Sequence, residues 1–550
     1  MEQGIEALAE EYWDHHLAVS PTHAHLLGIY EHAGSYEEAS RAAEEVDLAA
    51  LRDLADRAEH VDASGLEPQQ RITREVLVED ARARADLVDQ RLVELGANPI
   101  FGPQVSTPVV VGMLALPTVE VAEAMVEKYR GLARYYRELA ERQRDGLSGG
   151  RASAAFAVTD TVEQLDAILA SPVEEDALLR TTAPPEGLDV DRWRAALEAV
   201  VEAEVRPAMA TYRDVLRDEV APQARPDDRV GLCHVPDGEA AYAATLRYFT
   251  TTTRSAREIH DLGLSVVARL EDEYRELGPE VVGSDDLATI FEAMRTDPAL
   301  HFTRGEELVE ASEVAMRRAW EAMPEWFEVL PQAPCAVQAT TTGAKAFYFP
   351  PASDGSRGGT FFVNVADPES WGTFELESMA FHEGIPGHHL QLAISSELTG
   401  VPEFRKHLHN SAYAEGWGLY TERLADEMGL YSGPVDRIGM LAADSMRACR
   451  LVVDTGMHAL GWSRQQAVQY MVDNSPLRAS MCQPEVDRYA VTPGQACSYM
   501  VGRVEIQRMR AEAEQRQGDR FDVKQFHSAV LDSGSLPLRV LDRVVAERLS

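Results

Sequence analysis

Apolar residues recur at three- and four-residue spacing along most of the chain, which is the pattern of amphipathic helices. The pattern is clearest in three segments rich in alanine, leucine, glutamate and arginine, at residues 118–143, 190–216 and 255–277. Pro207 predicts a kink or break in the second segment. The third opens with Ser255-Ala256-Arg257-Glu258, which has the spacing of a capping box. Since the sequence contains no internal repeat, heptad array or low-complexity tract, we predict a mainly α fold.

One part of the chain, residues 335–365, departs from the helical pattern. Three segments in it are rich in threonine, valine and aromatic residues, and they cover residues 335–340, 344–349 and 360–365. A loop rich in proline and glycine separates the last two, at residues 350–359. We predict a small antiparallel β-sheet here. An edge strand of such a sheet would hold an extended peptide by backbone hydrogen bonds.

The length of 550 residues suggests several lobes, at a prior of roughly 150 residues each. Residues 222–237 carry proline, glycine and aspartate and are typical of a connection between lobes. We predict an N-terminal helical lobe at 1–225 and a catalytic helical lobe at 226–550, with metal-binding helices within 376–430. A single continuous structural domain is the alternative.

Acidic residues outnumber basic ones 91 to 52, which gives a formal net charge of −39. This excess argues against nucleic acid and against anionic membrane surfaces as partners, because both require clustered basic residues. Residues 1–6 are acidic where a signal peptide would be basic, and the most apolar stretch, 108–114, is far shorter than the ~20 residues of a membrane span. The cysteines form no Cys-x-x-Cys pair. We therefore expect a cytoplasmic protein with reduced thiols at Cys233, Cys335, Cys449, Cys482 and Cys497.

The candidate chemistry lies in residues 382–389, His-Glu-Gly-Ile-Pro-Gly-His-His. The segment begins like the zinc-protease motif His-Glu-x-x-His but has Pro386 where that motif has its second histidine. In a regular helix His388 would be rotated from His382 by about 600°, and His389 would lie about 10 Å along the axis. A zinc ion with nitrogen ligands at about 2.1 Å cannot bridge either pair.

The same residues predict a distortion that solves this problem. Pro386 cannot donate a backbone hydrogen bond to residue 382, and its ring clashes with that carbonyl group. Gly384 and Gly387 loosen the same turn. We expect a bulge or kink, and two residues looped out would bring His388 to the place of the second ligand. Which of His388 and His389 completes the site stays open on this argument.

A third ligand is predicted from the segment 414–422, Ala-Glu-Gly-Trp-Gly-Leu-Tyr-Thr-Glu. Glu415 comes 27 residues after His388 (415 − 388), an interval that fits one helix, a turn and a returning helix. Glu422 is the rival, but the glycine next to Glu415 permits close approach. Two histidines and one glutamate leave the fourth position of a zinc ion open, and Glu383 would then take a proton from a water molecule there. We expect one zinc ion per chain.

These motifs resemble the bacterial family catalogued as domain of unknown function 885. The resemblance rests on His-Glu-Gly-Ile-Pro-Gly-His-His-Leu-Gln with Ala-Glu-Gly-Trp-Gly-Leu-Tyr downstream. Four other stretches contribute to it: Tyr12-Trp13, residues 20–28, residues 354–357 and residues 493–496. The family is similar to zinc peptidases of the thimet-oligopeptidase-like and Taq-carboxypeptidase-like kinds, which implies a large two-lobed helical fold around a deep cleft. The Gly-His pair of those enzymes corresponds to Gly387-His388, which favours His388 as the ligand, although the motif here is two residues longer.

The resemblance also implies an oxyanion-stabilising tyrosine from a C-terminal segment. Tyr499 suits that role, and Tyr489 is the alternate. On one helix, Arg450, Asp454 and His458 follow at four-residue spacing and either line the cleft or form a salt-bridged face.

Further candidate contacts to a substrate complete the predicted site. Arg357 and Arg503 are candidates for binding a substrate carboxylate. Together with the residues above, the substrate-binding candidates are His389, Tyr489, Arg357, Arg450, His458 and Arg503. Histidines near the N-terminus only weakly suggest a second metal site, against ordinary surface or core positions: His15, His16, His23 and His25.

The resulting prediction is a zinc-dependent hydrolase that cleaves short peptides. Two alternatives stay open, a metallohydrolase of a non-peptide amide or ester and a non-catalytic binding protein with a degenerate metal site. The sequence has no Gly-x-Ser-x-Gly elbow, P-loop or Gly-x-Gly-x-x-Gly motif.

Overall fold

The computed structural model describes residues 4–351, 357–408 and 410–550, and most of them are helical, which confirms the predicted mainly α fold. The α-helices up to residue 250 are α1 (Ile5–Val19), α2 (Pro21–Leu26), α3 (Arg41–His60), α4 (Pro68–Asp89), α5 (Pro103–Val111), α6 (Val119–Ser148), α7 (Ala155–Ala170), α8 (Val190–Val200), α9 (Arg206–Val215) and α10 (Gly238–Thr250). Those that follow are α11 (Ala256–Val281), α12 (Leu287–Thr296), α13 (Gly305–Trp326), α14 (Glu375–Glu383), α15 (His388–Ser396), α16 (Glu403–His407), α17 (Ser411–Glu427), α18 (Pro434–Leu460), α19 (Arg464–Asn474), α20 (Ala479–Val491), α21 (Ser498–Gln517), α22 (Val523–Leu531) and α23 (Leu538–Arg548).

The three segments with the clearest periodicity are all helical. Helix α11 begins with the predicted capping box between Ser255 and Glu258. The second segment forms α8 and α9 with π-helical turns at Val201–Val205 and Leu216–Val220. Pro207 lies in the first turn of α9, directly after the first π turn, so the expected irregularity is a change of helix type rather than a break.

The Cα positions divide into two compact units. Unit 1 comprises Met1–Val61, Ala81–Ala244 and Met457–Gln465, and unit 2 comprises Asp62–Asp80, Thr245–Gly456 and Gln466–Ser550. This division differs from a single boundary after residue 225, because the chain passes between the units several times. In unit 1, α6 runs through the hydrophobic core. In unit 2, α14 and α21 both pack against α17.

The strands of the small sheet are β1 (Cys335–Thr340), β2 (Ala346–Phe349) and β3 (Gly359–Asn364), in the order β1-β3-β2. Strand β2 is antiparallel to β3 and β1 is parallel to β3, so the sheet is mixed: the predicted antiparallel pairing is confirmed for β2 with β3 and is wrong for β1. The cause is the position of β3, whose buried Phe361 and Val363 place it in the middle of the sheet. The predicted loop before β3 falls partly outside the described residues, as do residues 354–356 of the family resemblance.

Within the described ranges, every helix is too short or too polar to cross a membrane.

Candidate metal centre

The helix that carries His382 ends immediately after Glu383. Helix α15 begins at His388, and residues 384–387 separate the two helices, with a cis peptide between Ile385 and Pro386. A Cβ atom on Gly387 would lie 1.9 Å from the carbonyl oxygen of His382, so only glycine fits at this position. Instead of a bulge or kink within one helix, the motif therefore forms two helices joined by a tight connection.

This connection brings two imidazoles and one carboxylate together. The rings of His382 and His388 are 4.7 Å apart between centroids and nearly perpendicular, at 84°. Nε2 of each histidine lies 3.5 Å from the same Oε2 atom of Glu415. One ligand atom from each of the three side chains lies within 4.8 Å of the others.

The spacing of the three side chains fits a tetrahedral zinc ion. With ligands at about 2.1 Å, neighbouring ligand atoms of a tetrahedral site are about 3.4 Å apart. The observed 3.5 Å matches this edge and is longer than an ordinary hydrogen bond. Two histidines and one glutamate are also a donor set of catalytic zinc, with a fourth position left for water or substrate. His382, His388 and Glu415 could therefore hold the predicted ion.

The charge at the centre favours a cation. Burial disfavours the imidazolium of His382, but the Glu415 and Glu422 carboxylates outweigh it and raise the pKa of His382 to about 9. Burial alone would raise the pKa of Glu415, yet the two adjacent imidazoles hold it well below its usual value. The carboxylates thus stabilise positive charge at this position, which is what a metal ion would supply.

Glycines on α17 allow the close approach of the groups around the centre. A Cβ atom on Gly416 would lie 2.5 Å from Cα of Gly502, so this position lets α21 pack against α17. A Cβ atom on Gly418 would lie 2.7 Å from Cε1 of His382. The helix that carries Glu415 therefore has glycine at the positions where α21 and the His382 ring approach it.

Glu422 contacts the candidate ligand His382 at Nδ1, the ring nitrogen that does not face Glu415. Its Oε1 accepts a hydrogen bond of 2.8 Å from Nδ1 of His382, and its Oε2 accepts one of 2.8 Å from Ser378. The side chain is 1% exposed, and Nη2 of Arg447 lies 3.7 Å from it. Because Glu422 accepts from Nδ1 of His382, Nε2 is the nitrogen that a metal ion would bind in place of a proton. The predicted rival of Glu415 is therefore placed behind a ligand rather than beside the ligand atoms.

The two predicted catalytic residues come from different helices. Glu383 is the last residue of α14, directly after the first ligand, and its side chain is partly buried. Tyr499 lies in the first turn of α21 and is partly buried as well. Burial and the negative charge of Glu415 raise the pKa of Tyr499. The backbone turn before α21 is held by Asp454, which accepts from the N–H of Gly494 at 3.0 Å.

His389 faces away from the ligand cluster and holds the sheet. Its Nε2 lies 3.0 Å from the carbonyl oxygen of Ala333, and its Nδ1 lies 2.8 Å from the hydroxyl of Tyr348 on β2. Since a carbonyl can only accept, Nε2 carries the proton and Nδ1 accepts from the tyrosine. Burial lowers the pKa of His389 to about 4, which keeps the ring neutral. The structure thus places His388, and not His389, with the other two ligands.

The remaining predicted substrate contacts have hydrogen-bond or ion-pair partners within the protein. Tyr489 is buried, and its hydroxyl accepts from Nε of Arg450 at 2.8 Å. His458 belongs to unit 1, whereas the three ligands belong to unit 2, and its Nδ1 accepts from the backbone of Leu232. Arg503 is buried in an ion pair with Asp444.

Arg357 lies beside the sheet, at the edge of a gap in the described residues. It donates to the carbonyl oxygen of Pro350 at 2.7 Å, and its guanidinium lies 5.5 Å from the ring centroid of Phe349. These contacts hold the side chain against β2.

Sequence reasoning missed several residues that support the centre. Ser378 and Arg447 next to Glu422, and Tyr348 next to His389, carry no motif of their own. The spacing of Glu415 and Glu422 indicates that both carboxylates lie on one helix face, but it does not point to any of these three residues.

The N-terminal histidines form hydrogen bonds rather than a metal site. His16 is 3.2 Å from His23, and Arg84 donates to its Nδ1 at 3.1 Å. Burial and the charge of Arg84 lower the pKa of His16 to about 3. His15 bonds to Asp47, and His25 bonds to a backbone carbonyl. In the described parts of the chain, the cluster with metal-ligand spacing is the one formed by His382, His388 and Glu415.

The fold and this cluster define a mainly α protein with a candidate metal centre in its second unit. The chain belongs to the family described as "Bacterial protein of unknown function (DUF885)", which matches residues 21–545. The family indicated by the sequence motifs is therefore confirmed, while its kinship with zinc peptidases stays a prediction.

Two solved structures are similar to nearly the whole chain. The "putative lipoprotein from Colwellia psychrerythraea" has a TM-score of 0.90 at 24% identity, over 99% of this chain and 99% of that chain. The "putative lipoprotein of unknown function from Shewanella oneidensis" has a TM-score of 0.81 at 19% identity, over 99% and 100% of the chains. At these identities the likeness concerns the fold. No curated protein matches the chain.

Proposed function

We propose that the protein is a zinc-dependent hydrolase, and that it acts as a peptidase on short peptides. The observation that carries this proposal is the common 3.5 Å distance from Oε2 of Glu415 to the Nε2 atoms of His382 and His388. This spacing and donor set support one zinc ion per chain with an open fourth position. Glu383, adjacent in sequence to the first ligand, supplies the base that such a centre needs.

The residues of the chain have distinct tasks in this reaction. A bound zinc ion supplies Lewis-acid polarisation of a carbonyl group and acidifies water. Glu383 accepts a proton from the attacking water and passes it to the leaving nitrogen. Tyr499 donates its hydroxyl proton in a hydrogen bond to the oxyanion as it forms. Glu422 keeps the His382 ring in its ligating orientation.

Metal content and peptide hydrolysis test the proposal together. We expect about one zinc ion per chain after reconstitution, and hydrolysis of short peptides that a chelator abolishes. Glu383→Gln should keep the zinc and lose at least 100-fold in kcat, because it removes the proton acceptor. Glu321→Gln, at an exposed position of α13, is the matched control and should behave as wild type.

The outcomes separate the alternatives. Absence of zinc binding after reconstitution, or full activity of Glu383→Gln, contradicts the proposal and favours a non-catalytic binding protein. Zinc-dependent hydrolysis of small amides or esters, with none of peptides, favours the other metallohydrolase. A deep cleft that restricts substrates to short chains stays a prediction.

We also propose a cytoplasmic location, supported by five cysteines that are all free thiols within the described residues. The two similar structures are described as lipoproteins, so cell fractionation is the appropriate test. Recovery of this chain in the membrane fraction would contradict a cytoplasmic location.

A further inference from the structure

Arg450 on α18 is a buried cation with an unused donor. It is 6% exposed, its Nε donates to the hydroxyl of Tyr489 at 2.8 Å, and its Nη2 donates to Glu485 at 2.9 Å. Its third nitrogen, Nη1, is buried and has no hydrogen-bond partner. A buried N–H group without an acceptor is destabilising, and an incoming anion would relieve that cost.

The unpaired Nη1 of Arg450 differs from the other unpaired nitrogens on the described arginines. Most of the buried arginine nitrogens without partners are Nε atoms, which carry one N–H each. Terminal Nη atoms without partners occur on Arg450 and on Arg543, and the latter is 30% exposed and salt-bridged to Glu75 and Glu547. Arg450 is therefore the deeply buried guanidinium with a terminal pair of N–H groups left over.

The charge around Arg450 is not balanced by its partners. Arg450 and Arg488 both contact the single carboxylate of Glu485, so two positive charges and one negative charge leave one positive charge. Tyr489 also donates its hydroxyl proton to Glu485 and adds no charge. A carboxylate from outside the cluster would neutralise it.

The location of this charge connects it to the candidate metal centre. The guanidinium carbon of Arg450 lies 4.4 Å from the ring centroid of Tyr499, the predicted oxyanion donor. The negative charge of Glu415, a candidate metal ligand, is among the causes that raise the pKa of Tyr499. Arg450 therefore contacts the tyrosine on which that ligand also acts.

We propose that Arg450 binds a free carboxylate of the substrate, so that the enzyme acts on short peptides whose carboxyl terminus lies close to the cleaved bond. The inferred substrate preference rests on the proposed hydrolase function, but carboxylate binding by Arg450 does not require catalysis. Guanidinium groups bind carboxylates through two parallel hydrogen bonds, which an amidated peptide cannot accept in the same way. We expect the free acid to bind about 10- to 100-fold more tightly than the amide.

The test is calorimetric binding of alanyl-alanine and of its C-terminal amide to protein carrying Glu383→Gln, with and without added zinc. This background should block turnover. The free acid should bind more tightly, and adding Arg450→Gln should make the two affinities equal. Arg437→Gln is the control, since Arg437 lies exposed on the same helix and pairs with Asp426. Arg450→Lys keeps the charge without the planar fork and should give an intermediate preference.

Several results would overturn the carboxylate site. These are equal affinities in the parent protein, no binding of the free acid up to millimolar concentration, or an undiminished preference in folded Arg450→Gln. If Arg450→Gln does not fold, the parent protein and Arg450→Lys still decide. A preference that depends on Arg450, in a protein that hydrolyses no peptide with zinc, would retain the site and refute the proposed function. If the wild type hydrolyses the free acid and the amide equally well, the proposed hydrolase function is retained and the carboxylate site is refuted.

Discussion

Replacing Glu422 by glutamine should weaken zinc binding without touching any of the three ligands. Glu422 is 1% exposed and accepts from Nδ1 of His382 and from Ser378, both at 2.8 Å. Glutamine has nearly the same shape, and its carbonyl oxygen can still accept from His382. The substitution removes the negative charge next to Nδ1 of His382. In the wild type that charge makes Nε2 a more basic ligand.

The expected magnitude follows from these contacts. A charge-assisted hydrogen bond is worth roughly 1 kcal/mol more than a neutral one, so Glu422→Gln should lose about 5-fold in zinc affinity. Glu422→Ala also removes the acceptor and leaves the His382 ring unheld. We expect it to lose about 100-fold, the upper end for groups that orient a metal ligand.

Zinc affinity is best measured by competition with a chromophoric chelator at fixed pH and ionic strength. Glu427→Gln serves as the control, because Glu427 ends the same helix and forms an exposed pair with Arg510. Thermal unfolding of the metal-free proteins should accompany the measurement to exclude global damage. Wild-type affinity in both Glu422 variants would refute the reasoning that Glu422 supports the ligand.

Two further predictions concern the pH dependence of stability and the space around the first ligand. His527 is buried and donates to the carbonyl of Trp326, and burial lowers its pKa to about 3 from an unfolded value of 6.5. Its folded form therefore resists protonation, so the stability it contributes is intact above pH 6.5 and is lost as the pH falls towards 3. Between pH 8 and pH 5 the free energy of unfolding should fall by about 2 kcal/mol more in wild type than in His527→Asn, and parallel pH profiles would contradict this. Gly418→Ala should push the His382 ring aside and weaken zinc binding at least about 10-fold, since ligand distances tolerate only ~0.2 Å. Gly433→Ala, where a Cβ atom meets nothing within 4 Å, should bind zinc like wild type in the same competition assay.

The helices could be predicted because their signals are local. Apolar spacing and the Ser255–Glu258 capping box depend on residues within a few turns of each other, and the structure has helices where these signals occur. The candidate ligands were predictable for a related reason. Histidine and glutamate at unusual spacing around Pro386 and two glycines left few arrangements that a metal ion could accept.

The sheet order and the roles of the two glutamates depend on contacts that no local pattern contains. Strand β3 is mostly buried and lies between β1 and β2. Because β2 runs opposite to both of the other strands, this central position pairs β3 with β1 in parallel. Glu415 and Glu422 share a helix face, so spacing alone could not assign them. Their roles are set by α14, which presents Nε2 of His382 to one carboxylate and Nδ1 to the other.

The pair of consecutive histidines has a consequence for how the centre and the sheet are linked. Successive residues of a helix point about 100° apart, so His388 and His389 cannot both face one metal ion. In α15 the first faces Glu415, and the second bonds to Tyr348 of β2 and to the carbonyl of Ala333 just before β1. A Cβ atom on Gly359 of β3 would lie 2.5 Å from Nδ1 of His389, so β2, β3 and the segment just before β1 all lie close to this ring. The position of the ligand and the position of the sheet are therefore fixed against each other by the first turn of one helix.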